Sequence, residues 1–177
     1  PEGATIVEIA ELLERDLDRF DKQEFFALTE GMEGYLYPDT YKFLPNVRTK
    51  KVVAKLSETF QERTEELLPE IEASGRTLHE IITMASIIEK EARRTAVRRM
   101  ISGILWNRLD IGMALQVDAA FLYINGKNTF ELTYDDLEHE SLYNTYKYPG
   151  LPPGPIANPS LDSILRSEEH TSELQSP

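Results

Sequence analysis

Apolar residues recur along this chain at three- and four-residue intervals more than they alternate, a pattern that predicts helices. Thr5, with Glu8 three residues on, reads as a capping box ahead of Ile6, Ile9, Ala10 and Leu13, so a short helix should start there. A second short helix around residues 20–28 completes a small unit before the turn at Gly31. Across 49–68, Val52, Val53, Leu56, Phe60 and Leu67 share one face, and Pro69 ends the run or begins a new turn. Thr77 and Glu80 form another capping box, after which Leu78, Ile81, Ile82, Ala85, Ile88 and Ala92 fill one arc at about 100° per residue. Val97, Met100, Ile101, Ile104 and Leu105 then predict a helix that stops near Gly112.

The remaining segments read differently. Residues 34–43 are rich in aromatics and broken by Pro38-Asp39, which suits extended chain with a turn and argues against a central strand. Residues 121–124, before Asn125-Gly126, read as a strand or a short helix, and Thr133 offers a helix start. Prolines 149, 152, 153, 155 and 159 forbid regular structure and force an extended wrapping segment. The expected class is α+β, helix-dominated with a few extended pieces, with mainly α as the alternative.

Composition narrows the function classes. A length of 177 residues with 41% hydrophobic content supports one domain with a real core. A formal charge of -12 leaves no basic stripe to displace counterions from phosphates, which argues against nucleic acid or anionic lipid as partner. There is no cysteine, hence no disulfide framework, and the three histidines at 79, 139 and 170 lack ligand spacing, so neither a metal nor another cofactor is expected. No apolar run is long enough to span a bilayer. The chain begins with Pro1, as a fragment would, and residues 166–177 look like an adapter oligonucleotide translated in frame, so they read as a non-native tail.

Glu89 is the leading candidate for chemistry. It falls inside the apolar arc of the Thr77-capped helix, where burial disfavours the charged carboxylate; a two-unit rise in pKa corresponds to about 2.7 kcal/mol. A carboxyl that keeps its proton near neutral pH can act as a general acid. The competing structural reading is an ion pair with Arg93, Arg94 or Arg98 folded back onto it. Two further constellations, Gln116 with Asp118 and the run Tyr143-Asn144-Thr145-Tyr146, follow loop signals and supply the aromatic faces and directional polar groups by which sugars are held. Tyr143 and Tyr146 can equally anchor a loop on the core, and Asp118 can be a local cap.

Five motifs in order carry a resemblance: EGYLYPDTY at 33–41, ASIIEKE at 85–91, NRL with IGM at 107–113, LQVD at 115–118, and YNTY at 143–146 leading through GLPPGPI to Asn158-Pro159. Together they resemble the YceG-like family of endolytic murein transglycosylases. The resemblance implies a catalytic domain over 31–165, preceded in 1–30 by the end of a LysM-like module. It also implies cleavage of peptidoglycan glycan strands between MurNAc and GlcNAc without water, leaving a 1,6-anhydro end. Glu89 would be the general acid and then base, with Gln116, Asp118, Tyr143, Asn144 and Tyr146 lining the sugar groove. Cell-wall synthesis proteins are the implied partners, and a single membrane anchor outside this chain would hold the domain on the extracytoplasmic side of a bacterial membrane. Two alternatives stand beside it: a hydrolytic, lysozyme-like glycosidase with Asp118 as partner carboxylate, and a non-catalytic glycan-binding or scaffolding module in which Glu89 is structural.

Overall fold

Three capping boxes start helices where the sequence places them: Thr5–Glu8, Thr77–Glu80 and Thr133–Asp136 each pair a side-chain hydroxyl with the N3 amide while the N3 carboxylate returns to the cap amide. In the computed structural model, which describes residues 1–173 and side chains to residue 168, the elements run α1 (Ile6–Asp16), α2 (Lys22–Leu28), α3 (Thr49–Glu65), α4 (Leu68–Ala73), α5 (Leu78–Glu91), α6 (Thr95–Asp110), α7 (Ala119–Asn125), α8 (Tyr134–Leu137) and α9 (Leu161–Glu173). Among the described residues there is no strand. The expected extended pieces exist, but as irregular chain bonded to helices and to itself, so the described fold is all-helical rather than α+β. Residues 119–125 are the helix of the two options, closed by Gly126 at φ +76.

Helix α5 is the axis. Every side chain from Ile81 to Ile88 is buried, because α6, α7 and α9 cover it from several sides. A helix apolar all round is a buried one, and an amphipathic reading accounts for only part of this face. Trp106 and Leu105 from α6, Leu115 and Val117 from the following loop, Ile156 from the proline segment and Ile164 from α9 complete that core. A smaller core joins α1, α2 and α3 through Ile9, Ala10, Leu13, Phe25, Val52, Val53 and Leu56, and Leu36 inserts into it, so packing runs continuously across residue 30.

Asn158 ties the two cores together. Its side chain accepts from the Leu36 amide (2.9 Å) and donates to the Ala4 carbonyl and to Glu33 (both 2.9 Å), while its backbone exchanges bonds with Gly3 and Ala4. Gly34 permits the crossing: at φ +89, a Cβ there would lie 2.5 Å from Pro155. Sequence patterning did not predict α4 or α9. Of residues 166–177, those to 173 continue α9, with Trp106 Nε1 donating to the Ser167 carbonyl (2.9 Å); residues 174–177 lie outside the described residues.

Candidate functional site

Glu89 sits inside the apolar arc as expected, yet its carboxylate is not in greasy surroundings. Oε1 accepts from the Arg98 guanidinium (2.7 Å), and Oε2 accepts from the Ser160 amide (3.0 Å), the Ser160 hydroxyl (2.5 Å) and the Ser163 hydroxyl (2.7 Å). These partners hold the carboxyl at the N-terminus of α9. Arg98 is held in turn by the Ala92 carbonyl (3.1 Å) and by Asp162 (2.8 Å). The Glu89 side chain is 6% exposed and that of Arg98 10% exposed. Of the two readings open to the sequence, the ion pair is the one formed, and it fastens α5, α6 and α9. The periodic pattern locates the side chain on α5 but carries no information about what α9 brings to it.

The other side of the same helix end is chemically different. Glu91, exposed at the last turn of α5, accepts from the Ala119 amide (3.2 Å) at the start of α7. Surrounding protein pushes its carboxyl above the ordinary range; the Ala119 N–H opposes that shift and the nearby Asp118 charge adds to it. Asp118 accepts from the Tyr146 hydroxyl (2.5 Å). Burial first, and then Asp118, raise the Tyr146 phenol to about 12, so it remains a donor. Gln116 adopts φ +54, the one left-handed non-glycine residue among those described. Its amide donates to the Thr145 carbonyl (3.0 Å), and the Thr145 hydroxyl bonds both the N–H and the C=O of Val117 (3.1 Å each). Residues 115–118 are thereby clamped to 143–146. The Gln116 side chain faces Arg108 at the surface (3.4 Å).

Asn144 does not line a groove. It is fully buried, donating to the carbonyls of Leu137 (2.8 Å) and His139 (2.9 Å) and accepting from the amides of Tyr146 (3.1 Å) and Lys147 (3.3 Å). Its role is to fold the loop that presents its neighbours. Tyr143 does reach a cavity, a cleft of about 1150 Å³ whose walls also include Glu33, Tyr35, His79, Lys90 and Tyr123. Lys90 and Ala119, the residue whose amide donates to Glu91, are both among its lining residues.

Two residues that pattern reasoning passed over belong here. Glu91 closes the 85–91 motif two residues after Glu89, and its different direction on α5 brings it to the Ala119 amide and near Asp118. Glu33 lies within a motif, yet nothing local marks its carboxyl as sunk against the α1 N-terminus. Burial lifts it to about 7, against the opposing Ile6 amide bond; the Glu8 charge adds to the rise while Lys90 and Asn158 reduce it. Among the described residues no three His, Asp or Glu side chains converge as metal ligands would.

A carboxyl beside an Asp–Tyr pair, and a cleft with tyrosines in its walls, on a helical frame, define a helical cleft protein suited to a polar, ring-bearing ligand. The YceG-like family profile matches residues 1–172, and the chain belongs to that family. It is 40% identical over 133 residues to an endolytic murein transglycosylase of Bacillus subtilis (strain 168), covering 75% of this chain and 37% of that protein. It is 35% identical over 145 residues to an endolytic murein transglycosylase of Streptococcus pneumoniae serotype 2, covering 79% and 26% respectively. The chain thus spans about a quarter to over a third of these relatives' lengths. The crystal structure of a yceG-like protein from Listeria monocytogenes superposes with a TM-score of 0.79 at 32% identity, over 95% of this chain and 64% of that one.

Proposed function

We propose that this chain is the catalytic part of an endolytic lytic transglycosylase that cleaves the MurNAc–GlcNAc bond of peptidoglycan, and that Glu91 is the carboxyl that moves the proton. The observation that carries this reading is the contrast between two glutamates on one turn of α5. Glu89 has both oxygens engaged by donors beneath α9, whereas Glu91 is exposed, accepts from the Ala119 amide among the described residues, and is raised by its surroundings beside Asp118. As an acid, Glu91 protonates the glycosidic oxygen as the C1–O bond breaks. As a carboxylate, it takes the proton of the C6 hydroxyl while that oxygen attacks C1, closing the 1,6-anhydro ring without water. Asp118, held by Tyr146, places negative charge near the positive charge that develops at C1. The glycan lies along the Tyr143 wall of the cleft.

Membership of the family and the names of the relatives support this assignment. On the same basis we infer a whole protein anchored once in a bacterial membrane, acting outside the cytoplasm beside cell-wall synthesis proteins, with residues 1–30 the close of a LysM-like module. The test is digestion of purified peptidoglycan followed by mass spectrometry of the products. Anhydro ends that vanish in Glu91→Gln and persist in Glu89→Gln support the reading; reducing ends carrying an added water would replace it with hydrolysis, Asp118 then serving as the partner carboxylate.

A further inference from the structure

Helix α6 is buried along one side and bare along the other. Arg98, Ser102, Leu105 and Trp106 recur at three- and four-residue spacing and point into the fold. On the opposite side Met100 and Ile104 are 59% and 49% exposed, and Ile111, which caps the helix, is 71% exposed. Ala96 and Asn107 share that side, so the row carries no charge. Met113, also exposed, prolongs it past the turn, where its amide donates to the Arg108 carbonyl (2.8 Å). From Met100 to Ile111 the row runs for roughly 16 Å at the helical rise. Exposed apolar residues scattered singly need no partner, whereas a continuous row marks a surface that meets something.

The charge around this row runs against the rest of the molecule. Summed over the chain it is -12, which makes an anionic surface a poor partner for the molecule as a whole. Between residues 93 and 113, however, Arg93, Arg94, Arg98, Arg99 and Arg108 stand against Asp110 alone. Arg98 is engaged inside the fold by Glu89 and Asp162, and Asp110 is paired with Arg76 (3.0 Å). Arg93, Arg94 and Arg99 are exposed at the start of the row. Arg108, on its flank, donates to the carbonyls of Leu115 (2.7 Å) and Ala114 (3.5 Å), neutral partners that leave its positive charge in place. Apolar side chains framed by guanidiniums suit a helix lying in a lipid headgroup layer, where the row enters the acyl boundary and the guanidiniums meet phosphates. An isologous contact with a second copy would instead set the same arginines against each other. We propose that the outer face of α6 docks on an anionic phospholipid bilayer, with Met100, Ile104 and Ile111 inserted and the four outer arginines on headgroup phosphates. This contact is separate from any membrane-spanning anchor, and it does not depend on the lytic reading. Glu91 ends α5 two residues before Arg93, so docking holds that end of the helix close to the bilayer.

The test is flotation of the 177-residue chain with lipid vesicles. The chain should rise with vesicles of phosphatidylglycerol, stay behind with vesicles of phosphatidylcholine, and bind the first less tightly as salt is raised. Arg93→Gln combined with Arg94→Gln should weaken binding about thirty-fold, and Met100→Gln combined with Ile104→Gln roughly ten-fold or more. All four side chains are exposed, so both double variants keep the fold. Absence of flotation with phosphatidylglycerol overturns the proposal, as does equal binding to the two lipids. Wild-type affinity in either double variant overturns it too, because the contact then belongs to another face. Light scattering without lipid decides the competing occupant: a dimer that Met100→Gln with Ile104→Gln dissolves gives the row to a second copy and removes the bilayer contact. Peptidoglycan digestion in solution needs no vesicle, so anhydro products from a chain that ignores lipid sink the docking claim alone.

Discussion

Removing the Glu89 carboxylate tests the division of labour along α5. Glu89→Ala leaves the Arg98 guanidinium, 10% exposed, with Asp162 as its remaining ionic partner, and strips Ser160 and Ser163 of their acceptor. Breaking a buried pair from one side costs about 3–5 kcal/mol. Because Asp162 is 31% exposed and still engages Arg98, the lower end applies, about 3 kcal/mol. For a domain of this size each kcal/mol moves Tm by about 2–4 °C, so a fall of roughly 6–12 °C follows. Glu89→Gln, which keeps the shape but turns an acceptor into a donor facing donors, should fall by a comparable amount. Differential scanning calorimetry gives Tm, and peptidoglycan digestion below the lowered Tm gives activity. Glu91→Gln should do the reverse, with Tm held within a degree or two and cleavage reduced roughly 100- to 10,000-fold, the range contributed by a positioned acid–base group. A Glu89→Gln protein with the wild-type Tm and no cleavage would refute the argument, since the buried pair would then be energetically idle and the proton transfer would belong to Glu89.

Other outcomes follow from the same geometry. Glu33 has a folded-state pKa of about 7 against an ordinary 4.5, so its protonated form favours the fold: that stability is fully present below pH 4.5, declines as pH rises, and is gone above 7. Its full size is at most roughly 3 kcal/mol, less what solvent at the cleft mouth screens, and urea unfolding of Glu33→Gln across pH 4–8 should lack that decline. Asn144→Ala strips two carbonyls and two amides of their partner inside the 137–148 loop, and should lower unfolding free energy in urea by about 2–4 kcal/mol. Gly34→Ala drives a Cβ into Pro155 and forces a strained φ together, so soluble expression with a cooperative melt at the wild-type Tm would contradict the packing described between the two cores.

Local information in the sequence was enough for what local physics decides. Thr5, Thr77 and Thr133 announce helix starts because a hydroxyl and a carboxylate three residues apart satisfy backbone donors without help from the rest of the chain. The apolar arc of α5, the turn at Gly126 and the irregular course of the proline segment were legible for the same reason, and ordered motifs sufficed to place the chain in its family. The tertiary structure alone decided what each carboxyl meets. Glu89 and Glu91 are two residues apart on one helix, and no periodicity tells that Ser160 and α9 deliver two hydroxyls and an amide to the first while α7 delivers one amide to the second. Nor could it place Asn144 inside its loop, or set Glu33 against α1 through Asn158, 125 residues further on. A carboxyl's protonation depends on the donors, charges and solvent within a few ångströms of it, and in this fold those come from segments remote in the chain.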